Sequence, residues 1–256
     1  MLLVYSCGIL MTKLTQGVSK VKRNREIPFE PKEGFHWTDI PTGICFLIVL
    51  VAAGLALAVN LRPLYYLDIT WLDIPGESGL NAVVIKENYN ALIDYCSPFF
   101  KGDLVFPSMR SSASGLSHFA EVKQLFNVIY IAGIVCLAVC ILSFIIKKKN
   151  NETRYLLVAG IVALVVPLLF IILALINFNA LFTLFHMLVF NNADWLFDPV
   201  ADPVINILPE AFFMQCGMLI AAIVIIGSVT VITIWAVRRR NRKEVRLLPP
   251  KKNYYY

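Results

Sequence analysis

Charge is scarce in this chain of 256 residues: 16% are Asp, Glu, Lys or Arg, against 58% hydrophobic. Mean hydropathy is +0.70. A water-soluble chain of this length keeps near-average polarity. A soluble globular enzyme is therefore excluded, as are a disordered and a fibrous protein. Lysine and arginine are missing altogether between Arg154 and Arg238. No Cys-x-x-Cys pair occurs, and no two cysteines flank a histidine at zinc-finger spacing. Of the six cysteines, Cys45, Cys136, Cys140 and Cys216 lie in apolar runs as small hydrophobes, and Cys96 lies in a polar segment without an evident partner. Disulfide scaffolding is not expected. Ser111, Ser112 and Ser114 sit in no Gly-x-Ser-x-Gly elbow, so a serine hydrolase has little support. Residues 1–10 are apolar but lack a basic leader, so a signal peptide is not expected there.

Long uncharged runs are what the chain does have. Residues 41–60, 125–146, 155–176 and 216–237 each supply the roughly 20 apolar residues that a helix needs to cross a bilayer. Within lipid a helix satisfies every backbone polar group internally. The expected fold is an all-α membrane protein with four transmembrane helices. Basic residues cluster at Lys13, Lys20, Lys22, Arg23 and Arg25, at Lys147, Lys148, Lys149 and Arg154, and at Arg238, Arg239, Arg240, Arg242, Lys243 and Arg246. By the positive-inside rule both termini and the 147–154 hairpin face the cytoplasm. The net charge of +6 then suits anionic lipid headgroups better than nucleic acid. Three parts follow: a basic cytoplasmic segment 1–40, a catalytic four-helix region 41–237 with outer loops 61–124 and 177–215, and a basic cytoplasmic tail 238–256.

The outer loops are too apolar for plain connectors. Tyr65, Tyr66, Trp71, Tyr89, Leu92, Tyr95, Phe99 and Phe106 predict an extracytoplasmic cap, with a short amphipathic helix over residues 85–95. Residues 155–190 as one helix would run about 54 Å, far beyond the bilayer core. Asn177 and Asn179 are the natural break. Residues 180–190 then form an interfacial or re-entrant helix whose apolar face holds Phe182, Phe185 and Val189.

His118 precedes the second span and His186 sits on that interfacial helix, so both fall at one depth at the outer boundary. Histidine is the side chain best suited to proton exchange near neutral pH. A lone interfacial histidine often does no more than hydrogen-bond a neighbour. A polar group on a Phe-rich membrane helix, as at His186, is costly without a partner or a task. Around them lie Glu121, Asp194, Asp198, Asp202 and Glu210. Asp198-Pro199 and Asp202-Pro203 read equally as helix-start signals, and Trp195 as an interfacial anchor.

Several blocks together resemble one family: Asn88-Tyr89 with Leu92 and Tyr95; His118 with Val122-Lys123; and Phe185-His186 through Asn191, Trp195, Phe197-Asp198-Pro199 and Asp202 to Ile207-Leu208-Pro209-Glu210 and Phe212-Phe213. The chain resembles the lipoprotein intramolecular transacylases, small four-span membrane proteins of bacteria. It departs from the family in having Ala120-Glu121 where an Asp usually follows the first histidine. The resemblance implies transfer of the sn-2 acyl chain of a diacylglyceryl-modified lipoprotein to the α-amino group of its N-terminal cysteine, giving the lyso form. It implies a place in the bacterial cytoplasmic membrane, with the active site at the outer leaflet and lipoproteins and membrane lipids as partners. Donor and acceptor share one molecule, so no cofactor and no metal is required. His118 and His186 are the expected catalytic pair, one as general base and the other serving the oxyanion or leaving group; an acyl-imidazole intermediate stays open. Asn88, Tyr89, Lys123, Asn191, Trp195, Asp198, Asp202 and Glu210 are candidates for substrate binding and orientation. The rival readings are a metal-dependent membrane hydrolase built on His118, His186 and Asp198 or Asp202, and a non-enzymatic four-helix transporter or sensor.

Overall fold

The chain divides into two units, residues 1–34 and 35–256. A computed structural model describes Gly34 and residues 36–247. The architecture below is that of the second unit. The N-terminal basic cluster, Cys7 and the tail beyond residue 247 lie outside the described residues.

All regular structure among the described residues is helical, with no strand. Four long apolar helices have the length and composition to cross a membrane: α1 (Asp39–Asn60), α5 (Ala113–Lys149), α6 (Arg154–Val189) and α7 (Glu210–Leu247). Between α1 and α5 lie α2 (Arg62–Trp71), α3 (Ile74–Ser78) and α4 (Ala82–Tyr95); a 3-10 turn, Pro203–Ile207, precedes α7. The helix α4 covers and extends the expected 85–95 segment, because Asn81 caps it by accepting from the Val83 amide at 2.8 Å. The helix α7 does not stop at Val237 but continues into the basic residues.

The spans pack around α1, which touches α5, α6 and α7, while α6 lies along α7. Small residues permit the close approaches. A Cβ at Gly133 would sit 2.5 Å from the Ala52 methyl, and one at Gly160 would sit 2.9 Å from the Ser228 carbonyl. This is how helices associate where lipid removes the hydrophobic drive. Their outward faces are apolar and open: Ile131, Ile134, Leu175 and Ile176 are each exposed.

The region beyond the spans has the opposite order. Tyr65, Ile85, Val204 and Ile207 are fully buried there, in a core drawn from α2, α3, α4, the 3-10 turn and the start of α7. Tyr65 stacks on Tyr89 at 3.6 Å and donates to the Ile207 carbonyl at 2.6 Å. Each such large apolar side chain contributes roughly 1.5–3 kcal/mol by burial. The cap expected from aromatic content is thus a water-type core joined to one end of a lipid-type bundle.

Two boundaries matter for the site. First, α5 begins at Ala113, capped by Ser112, whose Oγ accepts from the Gly115 amide at 2.9 Å. His118 therefore lies within the helix rather than ahead of it. From Lys147 to His118 is about 43 Å of helix, more than the bilayer core. Second, α6 is interrupted at Asn177, where φ −164° and ψ 97° leave the helical region. Asn177 Oδ1 then accepts from the Ala180 amide at 3.0 Å and restarts the helix. The break expected from span length falls on the first of the two asparagines named for it. Asn179 donates to Glu210 at 3.2 Å and ties the break to the start of α7.

Candidate active site

The restarted segment of α6 carries His186 toward α5. Its ring centroid lies 5.7 Å from that of His118. Both histidines are buried, at 4% and 8% exposure. They line one cavity of about 260 Å³ whose other walls are almost entirely apolar, among them Leu55, Val59, Leu125, Phe126, Phe213 and Ile220.

Aromatic rings fix both imidazoles. His118 meets Phe190 edge-on at 4.8 Å and Phe197 at 5.5 Å. His186 lies between Phe182 at 4.2 Å and Trp195 at 5.0 Å. His186 Nδ1 is 2.7 Å from the Phe182 carbonyl. A carbonyl only accepts, so Nδ1 carries the proton and Nε2 keeps its lone pair. His118 Nδ1 is buried with no partner among the described residues.

One polar hub closes the site. Asn192 donates to Glu121 Oε1 at 2.7 Å, its Oδ1 accepts from the Asp194 amide at 3.0 Å, and its carbonyl accepts from the Trp195 indole at 3.1 Å. The second Glu121 oxygen is buried and unpartnered. Asn191, singled out from sequence, is exposed and lies outside this network.

The remaining candidates separate by position. Tyr89 and Trp195 line the cavity with the histidines. Asn88 is fully buried but holds a loop, donating to Ser108 at 2.7 Å and to the Val84 carbonyl at 2.8 Å. Lys123 donates to the Phe100 carbonyl at 3.0 Å and lies 4.3 Å over the Tyr95 ring. Glu210 braces the α6 break. Asp198 Oδ1 accepts from the Val200 amide at 2.9 Å, closing a turn rather than capping a helix. Asp202 accepts from Ser111 Oγ at 2.9 Å, from the Ser112 amide at 2.7 Å and from Ser112 Oγ at 2.7 Å. Burial pushes its carboxyl up, but these three bonds outweigh it and hold Asp202 below the usual carboxylate range. It anchors the start of the helix that bears His118. Burial drives the Cys96 thiol up to about 12 despite Lys123 nearby, which makes it a poor nucleophile.

Reading residues singly missed the enclosing rings of Phe182, Phe190 and Phe197 as positioning groups, and missed Asn192. Phe182 and Phe197 were visible as members of apolar or family-like stretches; nothing in the sequence marks Asn192 above Asn191. Among the described residues, no three His, Cys, Asp or Glu side chains converge as metal ligands.

Two buried imidazoles line an apolar cavity at one end of a bundle of membrane-type helices, and comparison with known proteins makes the chain an integral membrane acyltransferase. Residues 40–213 match the family described as lipoprotein intramolecular transacylase Lit, and the chain belongs to that family. It is similar to the in meso structure of the membrane integral lipoprotein intramolecular transacylase Lit from Bacillus cereus, with 30% identity, a TM-score of 0.77, and coverage of 80% of this chain and 96% of that one. Two histidine variants of that enzyme, one to arginine and one to alanine, are 29% identical, each with a TM-score of 0.72. Comparison with curated protein sequences gave no match.

Proposed function

We propose that the chain moves the sn-2 acyl group of an S-diacylglyceryl cysteine to the α-amino group of the same residue, on a lipoprotein at the outer leaflet of the bacterial cytoplasmic membrane. The 5.7 Å His118–His186 pair in an apolar cavity carries this reading. Acyl chains suit the walls, and among the residues lining the cavity the two imidazoles are the side chains best suited to take up and return a proton.

The site geometry supports the following roles. The amine nitrogen attacks the sn-2 ester carbonyl and gives up a proton to His186 Nε2, the nitrogen left free by the Phe182 carbonyl. The tetrahedral intermediate's oxyanion develops beside His118, whose N–H stabilises it. Collapse breaks the ester C–O bond, and the proton passes to the departing glycerol oxygen. One C–N bond forms, one C–O bond breaks, and one proton moves. Donor and acceptor are tethered in one molecule, so proximity supplies much of the rate and no carrier or cofactor enters.

The orientation rests on charge. The basic residues at 147–154 and 238–242 share one end of the bundle with the start of α1, and the histidines lie at the other. The positive-inside rule assigns the basic end, with both termini, to the cytoplasm. Lipoproteins and membrane lipids are the partners; nucleic acid is not.

The test is expression of the chain in a host lacking its own N-acylating enzyme, with mass spectrometry of lipoprotein N-terminal peptides. N-acyl, S-monoacylglyceryl peptides are expected; persistence of the unaltered diacylglyceryl form refutes the reading.

A further inference from the structure

The acceptor in that reaction is a primary amine, which reaches the site mostly as an ammonium with a pKa of about 8 and releases that proton to water before its nitrogen attacks. A cation entering an apolar cavity needs an anion beside it. Two carboxylates near His118 take no part in the roles above. Glu121 is one turn from His118 on α5; one oxygen is held by Asn192 at 2.7 Å and the other is buried without a partner. Asp194, on the turn after α6, lies within electrostatic reach of the His118 ring. Its amide is pinned by the same Asn192 at 3.0 Å. Among the described residues neither carboxylate is in an ion pair. Lys123, two residues from Glu121, is committed to Phe100 and Tyr95. The loop bearing Asp194 has no lysine or arginine at all.

A second observation points to a ligand at this place. His118 is 4% exposed, lines the cavity, and has a buried Nδ1 with no partner. Two unpartnered buried polar atoms on adjacent turns of one helix are expensive unless something polar binds there. Their number and sign fit a small cation that donates several hydrogen bonds.

We propose that Glu121 and Asp194, coupled through Asn192, receive the α-ammonium of the substrate's N-terminal cysteine and hold it beside His118. The inference rests on the transacylase reading. The two carboxylates set where the nitrogen sits and select a free N-terminus over a blocked one. The alternative role, steadying a protonated histidine, predicts different kinetics.

The experiment uses the full chain in nanodiscs with a synthetic dipalmitoylglyceryl-cysteine tetrapeptide, comparing the unaltered protein with Glu121→Gln, Asp194→Asn and the double variant. KM at pH 7 rises about tenfold for each single change, the loss of one charge-assisted contact. The maximal rate stays within about twofold. The KM ratio of variant to unaltered protein contracts toward one as pH rises past the amine's pKa of about 8, because the neutral amine no longer needs the anions. Among the described residues Asp194 has no side-chain hydrogen-bond partner that folding would lose, so Asp194→Asn carries the test if Glu121→Gln does not fold. An unchanged KM in the folded variants, a fall in kcat at constant KM, or a KM ratio indifferent to pH overturns the inference alone. No conversion by the unaltered chain overturns the transacylase reading, and this inference with it.

Discussion

Buried polar groups occur at both ends of the helical bundle, and they are treated in opposite ways. At the basic end Lys147 is 7% exposed and Asp39 1%. The Lys147 ammonium lies 2.6 Å from Asp39 and 3.3 Å from Glu152, with Thr38 Oγ at 3.3 Å as a further acceptor. His36 adds its ring 3.9 Å from Glu152. Charge is compensated there, and the network ties the start of α1 to the α5–α6 hairpin. At the other end His118 Nδ1 and Glu121 Oε2 are buried and unmatched, next to a cavity. A satisfied buried network fixes structure; an unsatisfied one stores binding capacity for something not part of the chain.

That contrast can be broken in graded steps. The largest effect on turnover is expected from His186→Ala, which removes the nitrogen aligned by Phe182. Conversion of a diacylglyceryl lipopeptide, followed by mass spectrometry, falls by about 10²–10⁴, with the melting temperature in detergent nearly unaltered. His118→Ala gives a loss of similar order. Lys147→Ala does the reverse. It leaves the buried Asp39 carboxylate uncompensated, with the half-buried Glu152 beside it, and costs about 3 kcal/mol of stability, read as a lower melting temperature. Turnover per folded molecule stays near that of the unaltered protein. A large loss of turnover with no loss of stability in Lys147→Ala destroys the distinction between the two ends.

Smaller effects sharpen the picture around Asp202. Ser112→Ala removes both the α5 cap and one Asp202 contact, for about 1 kcal/mol and a modest drop in turnover through a less fixed His118. Asp202 is held below its ordinary value of 3.8 by Ser111 and Ser112. Its stabilisation is therefore fully present above that ordinary value, and it is lost as pH falls through the lower folded value. Acid melting curves of Asp202→Asn should lack this component, and identical acid sensitivity in both proteins refutes the assignment. Least affected is Cys96→Ala. A thiol pushed up to about 12 is no acyl acceptor, so turnover changes by less than about threefold, where a nucleophile's removal would abolish it.

The spans, the basic clusters and the break in α6 were legible because each follows from one-dimensional arithmetic. A run of about 20 apolar residues matches the bilayer core, and a 36-residue apolar helix exceeds it and breaks where asparagine can recap the chain. The pairing of His118 with His186 was legible as depth, since both follow from distance along a span. The individual polar partners were not. Asn191 and Asn192 are identical in the sequence, and only the path of the chain after Val189 turns the second toward Glu121. Lys123 looks like a headgroup ligand until Tyr95 and the Phe100 carbonyl fold beneath it. Asp202 resembles a cap for its own turn, yet its bonds run to Ser111 and Ser112, 91 and 90 positions away.

Hydrophobic length and the placement of charge, properties of the chain as a string, determined that this protein is a four-helix membrane protein with histidines at one level. Which side chains face each other across the gap between α5 and α6 was decided by tertiary packing alone. A hydrogen bond spans about 3 Å, and no periodicity in the sequence fixes separations that fine between segments some seventy residues apart.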